Sequence, residues 1–129
     1  MNGVPDTQPR SRFPRHKRLL TASDYQRVFQ QPQKSGGRAL TVLARPSGWE
    51  LARLGLAIPR KQIRRAVERN RVKRLIRESF RRHQDLLRGL DVVVIGRSEL
   101  AKKNTQGVFE CLENHWRRVS DRCRGRGTC

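Results

Sequence analysis

Acidic residues are scarce in this chain of 129 residues: 11 Asp and Glu stand against 30 Lys and Arg, which leaves a formal charge of +19. With so few acids, a compact protein cannot neutralise its own cations, and an anionic partner relieves the repulsion. Most of the basic residues are arginines, whose planar guanidinium binds phosphate with two hydrogen bonds and stacks on bases. The composition therefore predicts a phosphate-rich partner and favours structured nucleic acid.

Long apolar runs are missing as well. No stretch approaches the roughly 20 apolar residues of a membrane-spanning helix. Residues 1–18 are polar and rich in Pro and Arg, unlike a secretory signal peptide. We therefore expect a cytoplasmic protein with no membrane partner.

Cysteine and histidine are too few and too scattered for a disulfide framework or a zinc site. Asp91, Glu99 and Glu110 do not form a recognisable set of carboxylates for a metal-dependent nuclease. We expect the protein to supply no catalytic residue and no metal ligand. The cysteines and histidines are Cys111, Cys123, Cys129, His16, His83 and His115.

The length and the hydrophobic fraction of 35% predict one domain with a modest core. Prolines and basic residues predict a flexible arm over residues 1–18, and residues 121–129 are a small, polar tail.

Hydrophobic periodicity predicts an α-β-β-α-β-α order, typical of an α+β sandwich. The first two long strands should form an antiparallel hairpin, and the apolar run Val92–Ile95 predicts a central strand buried on both faces. The predicted helices are Asp24–Gln30 with Ser23 as N-cap, Ala66–Arg88 ending at Gly89, and Gln106–Ser120 capped by Asn104 or Thr105. The predicted strands are Arg38–Arg45, Ala52–Ile58 and Asp91–Arg97, with a short extra strand near Gln33–Gly37.

The long central helix has two opposite faces. Helical geometry places an apolar stripe on one side and a row of cations on the other. A solvated charged face is the ordinary alternative, but such faces mix charges of both signs. Residues 60–82 hold eleven basic side chains against Glu68 and Glu78, and only Glu78 can pair locally, with Arg74, Arg81 or Arg82. The apolar stripe is Val72, Ile76, Phe80, His83 and Leu87, with Leu75 and Leu86 beside it; the opposite row is Asn70, Arg74, Arg77, Arg81 and Arg88, bordered by Lys73.

Residues 69–71 differ from this row. Arg69 should project toward the apolar side and Arg71 toward a flank. Asn70 between them could cap the helix or bond a ribose or phosphate. Two arginines around an asparagine near a helix start suggest a place where side chains and backbone hold an RNA backbone together.

A second surface is predicted beside the first helix. Tyr25 and Phe29 lie one helical turn apart, and the non-core face of the first long strand offers Thr41 and Leu43. Their spacing alone favours Tyr25 and Phe29 as plain core residues. The alternative is a groove in which aromatic side chains stack on unpaired bases.

The run RAVERNRVKRLIRESFR at residues 65–81 closely resembles the signature of the protein component of bacterial ribonuclease P. Other landmarks agree in order: FPR at 13–15, DYQRVF at 24–29, LGL at 54–56 before PRK at 59–61, and DVVVIGR at 91–97. The resemblance spans about residues 13–119. It implies a single RNA-binding α+β domain at residues 13–120, between a flexible basic arm at residues 1–12 and a polar tail at residues 121–129. It implies an α-β-β-β-α-β-α order with a four-stranded sheet and a left-handed βαβ crossover, so the strand near Gln33–Gly37 should exist.

The resemblance also implies the function: an accessory subunit that binds the catalytic RNA of ribonuclease P. That RNA and its Mg²⁺ ions remove the 5′ leader of precursor tRNA, and no obligate protein partner is expected. The groove would hold the single-stranded leader through Tyr25, Phe29, Thr41 and Leu43. Leu43 stands where the family often has an aromatic residue, so stacking there should be weaker. Contacts to the catalytic RNA would come from Lys61, Arg64, Arg65, Arg69, Asn70, Arg71, Lys73, Arg74, Arg77 and Arg81.

Three other functions compete with this one. A protein-only nuclease lacks the clustered carboxylates it would need. A ribosomal or general RNA chaperone protein agrees with the composition but not with the signature at residues 69–71. A DNA-binding helix-turn-helix is disfavoured because no second helix precedes the basic one.

Overall fold

The computed structural model of the chain describes residues 21–30, 32–47 and 50–125. The predicted arm at residues 1–12, the landmark at residues 13–15 and Cys129 lie outside these ranges. The α+β class and the order of the predicted elements are confirmed, with one additional short helix. The elements are α1 (Ala22–Phe29), β1 (Gln33–Ser35), β2 (Leu40–Pro46), β3 (Arg53–Ala57), α2 (Ala66–Arg82), β4 (Leu90–Gly96), α3 (Ser98–Lys102) and α4 (Thr105–Gly125).

The first helix begins earlier than predicted, because its N-cap is Thr21 and not Ser23. The Thr21 hydroxyl accepts a hydrogen bond from the Asp24 N–H at 3.1 Å. In return, the Asp24 carboxylate accepts one from the Thr21 N–H at 3.2 Å. This reciprocal capping box satisfies two backbone donors at once. A cap at Ser23 could not form it with Asp24, because the acid must lie three residues after the N-cap.

The four strands have the order β1-β2-β4-β3, so the predicted antiparallel hairpin between the second and third strands is wrong. Strand β4 lies between them, antiparallel to β2 and parallel to β3. The nearly all-apolar β4 is hydrogen-bonded to a strand on each edge and is buried on both faces, as its sequence predicted. Helix α2 supplies the long connection that parallel β3 and β4 need, and β1 confirms the expected extra strand.

Helices cover both faces of the sheet. Helices α2 and α4 pack on the face that carries Val42 and Val94, where they form the main core. On the opposite face, α1 inserts Val28 against Leu43 and Val93 in a smaller cluster. The smaller cluster fixes α1 to the sheet without covering the whole face.

Several boundaries differ from the prediction. Helix α2 ends at Arg82, six residues before the predicted Arg88, and turns follow as far as Gly89, whose φ of 80° confirms it as a glycine stop. Helix α4 continues past the predicted Ser120 to Gly125, because Cys123 is buried in the main core. Its cap is Asn104, whose Oδ1 accepts a 2.7 Å hydrogen bond from the Gly107 N–H.

Helix α3 was not predicted. It has only five residues, of which Leu100 alone is buried. A helix this short is not visible as a periodic pattern of apolar residues in the sequence. Across the residues that the structure describes, no helix is long and apolar enough to pass through a bilayer.

Candidate RNA interface

The two faces of α2 are confirmed as far as Arg82, where the helix ends; His83 and Leu87 of the predicted apolar stripe lie in the turns beyond it. Val72, Ile76 and Phe80 are fully buried, and the Phe80 ring meets Trp116 edge to face at 5.9 Å. The Trp116 indole N–H donates to the Ser79 hydroxyl at 2.8 Å. The ring contact and the buried hydrogen bond therefore fix the orientation of α2 about its axis, so that its basic side faces solvent. Of the predicted RNA contacts, Lys61, Arg64, Arg65, Asn70, Arg74 and Arg81 are exposed, while Arg69, Arg71, Lys73 and Arg77 are half-buried.

The C-terminal half of the basic row is neutralised within the helix. Arg81 and Arg82 both contact the Glu78 carboxylate, at 2.5 and 3.2 Å. The hydrogen bond from Arg81 lowers the pKa of Glu78 and keeps it charged. The Arg82 guanidinium also lies 5.1 Å from the centre of the Phe109 ring. Arg88, predicted to continue the row, lies beyond the helix and contacts Asp85 at 3.4 Å.

The N-terminal part of the row has no such neutralisation. In residues 21–30, 32–47 and 50–125, no acid forms an ion pair with its cations. The strongest site for an anion along α2 is therefore its first turns and the loop that precedes them. These cations are Lys61, Arg64, Arg65, Lys73 and Arg74.

Arg69 and Arg71 have bonds inside the protein. Arg69 Nη1 donates to the carbonyl oxygens of Ile63 and Arg64 at 2.9 and 2.7 Å, which fastens the basic loop of residues 60–65 to α2. Arg71 Nη2 donates to the carbonyl oxygen of Lys103 at 3.0 Å. A guanidinium has five N–H donors, so both arginines keep donors for an RNA.

Asn70 is the fifth residue of α2, whose N-cap is Arg65. The interpretation of Asn70 as a helix cap is therefore wrong. Its side chain is exposed on the basic face, which leaves the alternative of a ribose or phosphate contact.

The second surface lies beside α1, which is hydrogen-bonded to β3 at its middle and to β2 at its C-terminal end. The Tyr25 hydroxyl bonds the N–H and the carbonyl of Leu56 in β3, at 3.1 and 3.4 Å. Arg45 Nη1 in β2 donates to the carbonyl oxygens of Arg27 and Gln30 at 2.7 and 3.1 Å. A cation at these C-terminal carbonyls is favourable, so α1 lies across the strands as a fixed wall.

The floor beside this wall is the next row of the sheet, in which Ile95 pairs with Thr41 on one side and Ala57 on the other. We call the space between this row and α1 the α1 cleft. Phe29 is 47% exposed, so it is not a plain core residue, and Tyr25 is half-buried. Thr41 and Leu43 are buried, at 3% and 7% exposure. The accessible side chains of the predicted set are therefore Phe29 and part of Tyr25.

Sequence reasoning missed Arg97 as a residue of this cleft. Its Nη2 donates to the Thr41 hydroxyl at 3.0 Å. The available signal was its position, two residues past Ile95 on an alternating strand, which puts both on one face.

Metal ligands are not assembled here. Among the described residues, no three His, Cys, Asp or Glu side chains form a group that could hold a metal ion. Cys111 and Cys123 are free thiols, and burial raises the pKa of Cys111.

Related sequences share most of the chain. The family model described as Ribonuclease P matches residues 13–120. The ribonuclease P protein component of Methylococcus capsulatus is 46% identical over 113 residues, which are 88% of this chain and 88% of the relative. That of Vibrio cholerae is also 46% identical over 113 residues, 88% of this chain and 96% of the relative.

Solved structures agree. An RNase P protein mutant of Staphylococcus aureus with defective mRNA degradation activity is similar with a TM-score of 0.76 at 26% identity, over 85% of this chain and 93% of that one. The RNase P protein of Thermotoga maritima gives 0.71 at 33% identity, over 79% and 96%. With the family model covering residues 13–120, this chain belongs to the family of ribonuclease P protein components.

Proposed function

We propose that this protein is the subunit of ribonuclease P that binds the catalytic RNA through the N-terminal half of α2 and the 5′ leader of precursor tRNA through the α1 cleft. The observation that carries the first part is the set of outward cations on α2 and its preceding loop, with no acid partner in the described chain. The exposed ring of Phe29, one helical turn from Tyr25 on α1, supports the second part, because an aromatic ring can stack on an unpaired base whatever its identity.

The charge of the protein explains how it would assist the reaction. A catalytic RNA and a precursor tRNA are both polyanions and repel each other, and a +19 protein between them offsets part of that repulsion. Assembly should then need less Mg²⁺. The proposal leaves Mg²⁺ binding and bond cleavage to the RNA, and gives the protein the tasks of binding and orienting.

Reconstitution tests the proposal. Processing of precursor tRNA by the cognate catalytic RNA is measured at low Mg²⁺ concentration, with and without the protein. We expect the protein to raise the rate of 5′ processing, and we expect the protein alone to cleave nothing. Cleavage by the protein alone would support a protein nuclease, and preferential recovery of ribosomal RNA in a pull-down would support an RNA chaperone.

A matched pair of variants tests the cleft. Phe29 and Leu51 are equally exposed, at 47% and 48%, but Leu51 lies before the start of β3, at the end of the sheet away from the cleft. Phe29→Ala should weaken binding of leader-bearing precursor tRNA by about 5- to 100-fold, the range for loss of one base stack. Leu51→Ala should leave it unchanged. Equal losses in the two variants would contradict a leader site at the α1 cleft.

A further inference from the structure

Arg97 stands where the α1 cleft meets the basic loop of residues 60–65. Its backbone N–H donates to the Ala39 carbonyl at 2.9 Å, and its guanidinium donates to the Thr41 hydroxyl at 3.0 Å. The N–H of the next residue, Ser98, donates to Oε1 of Gln62 at 3.1 Å. One short segment therefore adjoins both the floor of the cleft and the loop that carries Lys61.

The face on which the Arg97 side chain lies follows from the strand register. Ile95 packs with Tyr25 in the small cluster under α1. Arg97 follows the end of β4 at Gly96 but keeps an extended backbone, with φ −124° and ψ 171°. Its side chain therefore shares the face of Ile95, two residues before it. The bond to Thr41, which pairs with Ile95, agrees with this assignment. The guanidinium thus lies on the cleft side of the sheet, beyond the part that α1 covers.

Two other arginines on this face have stronger partners. Arg53 forms two hydrogen bonds to the Asp91 carboxylate, at 2.9 and 2.8 Å, and Arg45 bonds the carbonyls at the end of α1. Within the part of the chain that the structure describes, Arg97 has one side-chain hydrogen bond, to a neutral hydroxyl, and no acid pairs with it. The bond to Thr41 orients the guanidinium but leaves its charge and most of its donors for a ligand.

We propose that Arg97 binds a backbone phosphate of the single-stranded leader, at the point where that strand passes from the α1 cleft toward the basic loop. An oriented guanidinium with spare donors suits a phosphate, which accepts two parallel hydrogen bonds from it. The inference rests on the proposed leader site and adds the residue that connects this site to the surface of α2.

The test compares two variants that each remove one positive charge. Arg97→Gln keeps an amide donor but loses the charge. Arg117→Gln is the control, because Arg117 is paired with Glu113 on α4 at 2.7 Å. The wild-type protein and each variant are assembled with the catalytic RNA. Dissociation constants are then measured for leader-bearing precursor tRNA and for mature tRNA over a range of salt concentrations.

We expect Arg97→Gln to weaken binding of precursor tRNA by about 3- to 10-fold and to leave mature tRNA unchanged. The slope of log affinity against log salt should fall by about 0.7, the value for one phosphate contact on a single strand. Arg97→Lys, which keeps the charge without the planar fork, should recover part of the loss. Arg117→Gln should match the wild type with both ligands.

Two results would overturn the assignment, and they differ in what else they contradict. If the wild type prefers precursor to mature tRNA and Arg97→Gln keeps that whole preference, Arg97 is not a leader contact but the leader site stands. If the wild type shows no preference, the leader site itself fails, and the role of Arg97 fails with it.

Discussion

The two halves of α2 carry similar charges but use them differently. In the C-terminal half, Arg81 and Arg82 share Glu78, and Arg82 also lies over an aromatic ring. In the N-terminal half, Arg74 and Lys73 have no acid partner within the described residues. Charge counting treats these residues alike, but a cation that is already paired gains less from a phosphate than one that is not.

The sheet face under α1 repeats this contrast. Arg53 is paired with the buried carboxylate of Asp91, whereas Arg97 at the opposite end of the same face has only a hydroxyl. The contrast suggests a rule for this protein: cations with partners inside the fold support stability, and cations without them support binding.

The largest effect is expected at Arg53. Arg53→Gln removes the ion pair and leaves Asp91, which is 1% exposed, without its charged partner. Breaking one side of a buried pair costs about 3–5 kcal/mol, and the raised pKa of Arg53, due first to its hydrogen bond with Asp91, agrees in direction. Urea unfolding measures the loss.

Arg97→Gln is the control for that measurement. It removes a charge from the same sheet face but breaks one hydrogen bond to a neutral group, for which about 0.5–1.5 kcal/mol is expected. If the two variants lose similar stability, Arg53 and Arg97 do not differ in their contribution to the fold, and the contrast between the two ends of this sheet face is wrong.

The next effect concerns the two halves of α2. The double variant Lys73→Gln with Arg74→Gln should weaken binding to the catalytic RNA by about 5- to 150-fold, from two solvent-exposed hydrogen bonds lost at about 0.5–1.5 kcal/mol each, and reduce the salt slope by about 1.5. The double variant Arg81→Gln with Arg82→Gln removes the same charge and should lose about threefold or less. Filter binding at several salt concentrations measures both.

Equal losses in these double variants would mean that RNA binding follows total charge and not local pairing. A larger loss in the C-terminal variant would reverse the comparison and place the main contact beyond Glu78.

A smaller effect separates positioning from contact at Arg69. Arg69→Lys keeps the charge but replaces the planar, pre-organised guanidinium, whose Nη1 joins the carbonyls of Ile63 and Arg64, with an ammonium on a flexible stem. We expect about 1 kcal/mol less stability and faster hydrogen exchange at the Ile63 amide, which bonds Pro59 in this loop at 3.2 Å. If hydrogen exchange at Ile63 is unchanged while RNA binding is weakened, Arg69 contacts the RNA directly and does not act by positioning the loop.

Much of the fold and of the basic face of α2 could be predicted from the local spacing of apolar and charged residues. The stripes of α2 follow from helical spacing, and β4 follows from its apolar run. The pairing of strands could not be predicted, because the alternation in β2 and β3 is equally compatible with direct pairing and with a third strand between them. The partners of Arg53, Arg69 and Arg97 were equally hidden, since each lies on another element or in a loop whose path only the fold determines. The resemblance to the family identified the cleft, but not which of its side chains are accessible.

The smallest effect tests the rule with a titratable group. His115 is 5% exposed, and its Nδ1 lies 2.7 Å from the Ser35 hydroxyl. Burial, and then the positive charges of Arg118 and Arg122, lower its pKa, while a hydrogen bond with the Ser35 backbone opposes the shift. The folded protein therefore favours neutral His115, and the unfolded chain takes up its proton first, near pH 6.5. Stability should be complete above that pH and decline as pH falls from there toward the lowered folded pKa.

Unfolding by urea between pH 5 and 7.5, compared with His115→Gln, isolates this effect because the variant keeps every other titrating group. The wild type should lose more stability on acidification than the variant does. If the two curves run parallel, a charged His115 is tolerated beside Arg118. A buried cation with only a hydroxyl for a partner would then cost this fold little, and the rule would have to be restricted to cations that face solvent or pair with a buried acid.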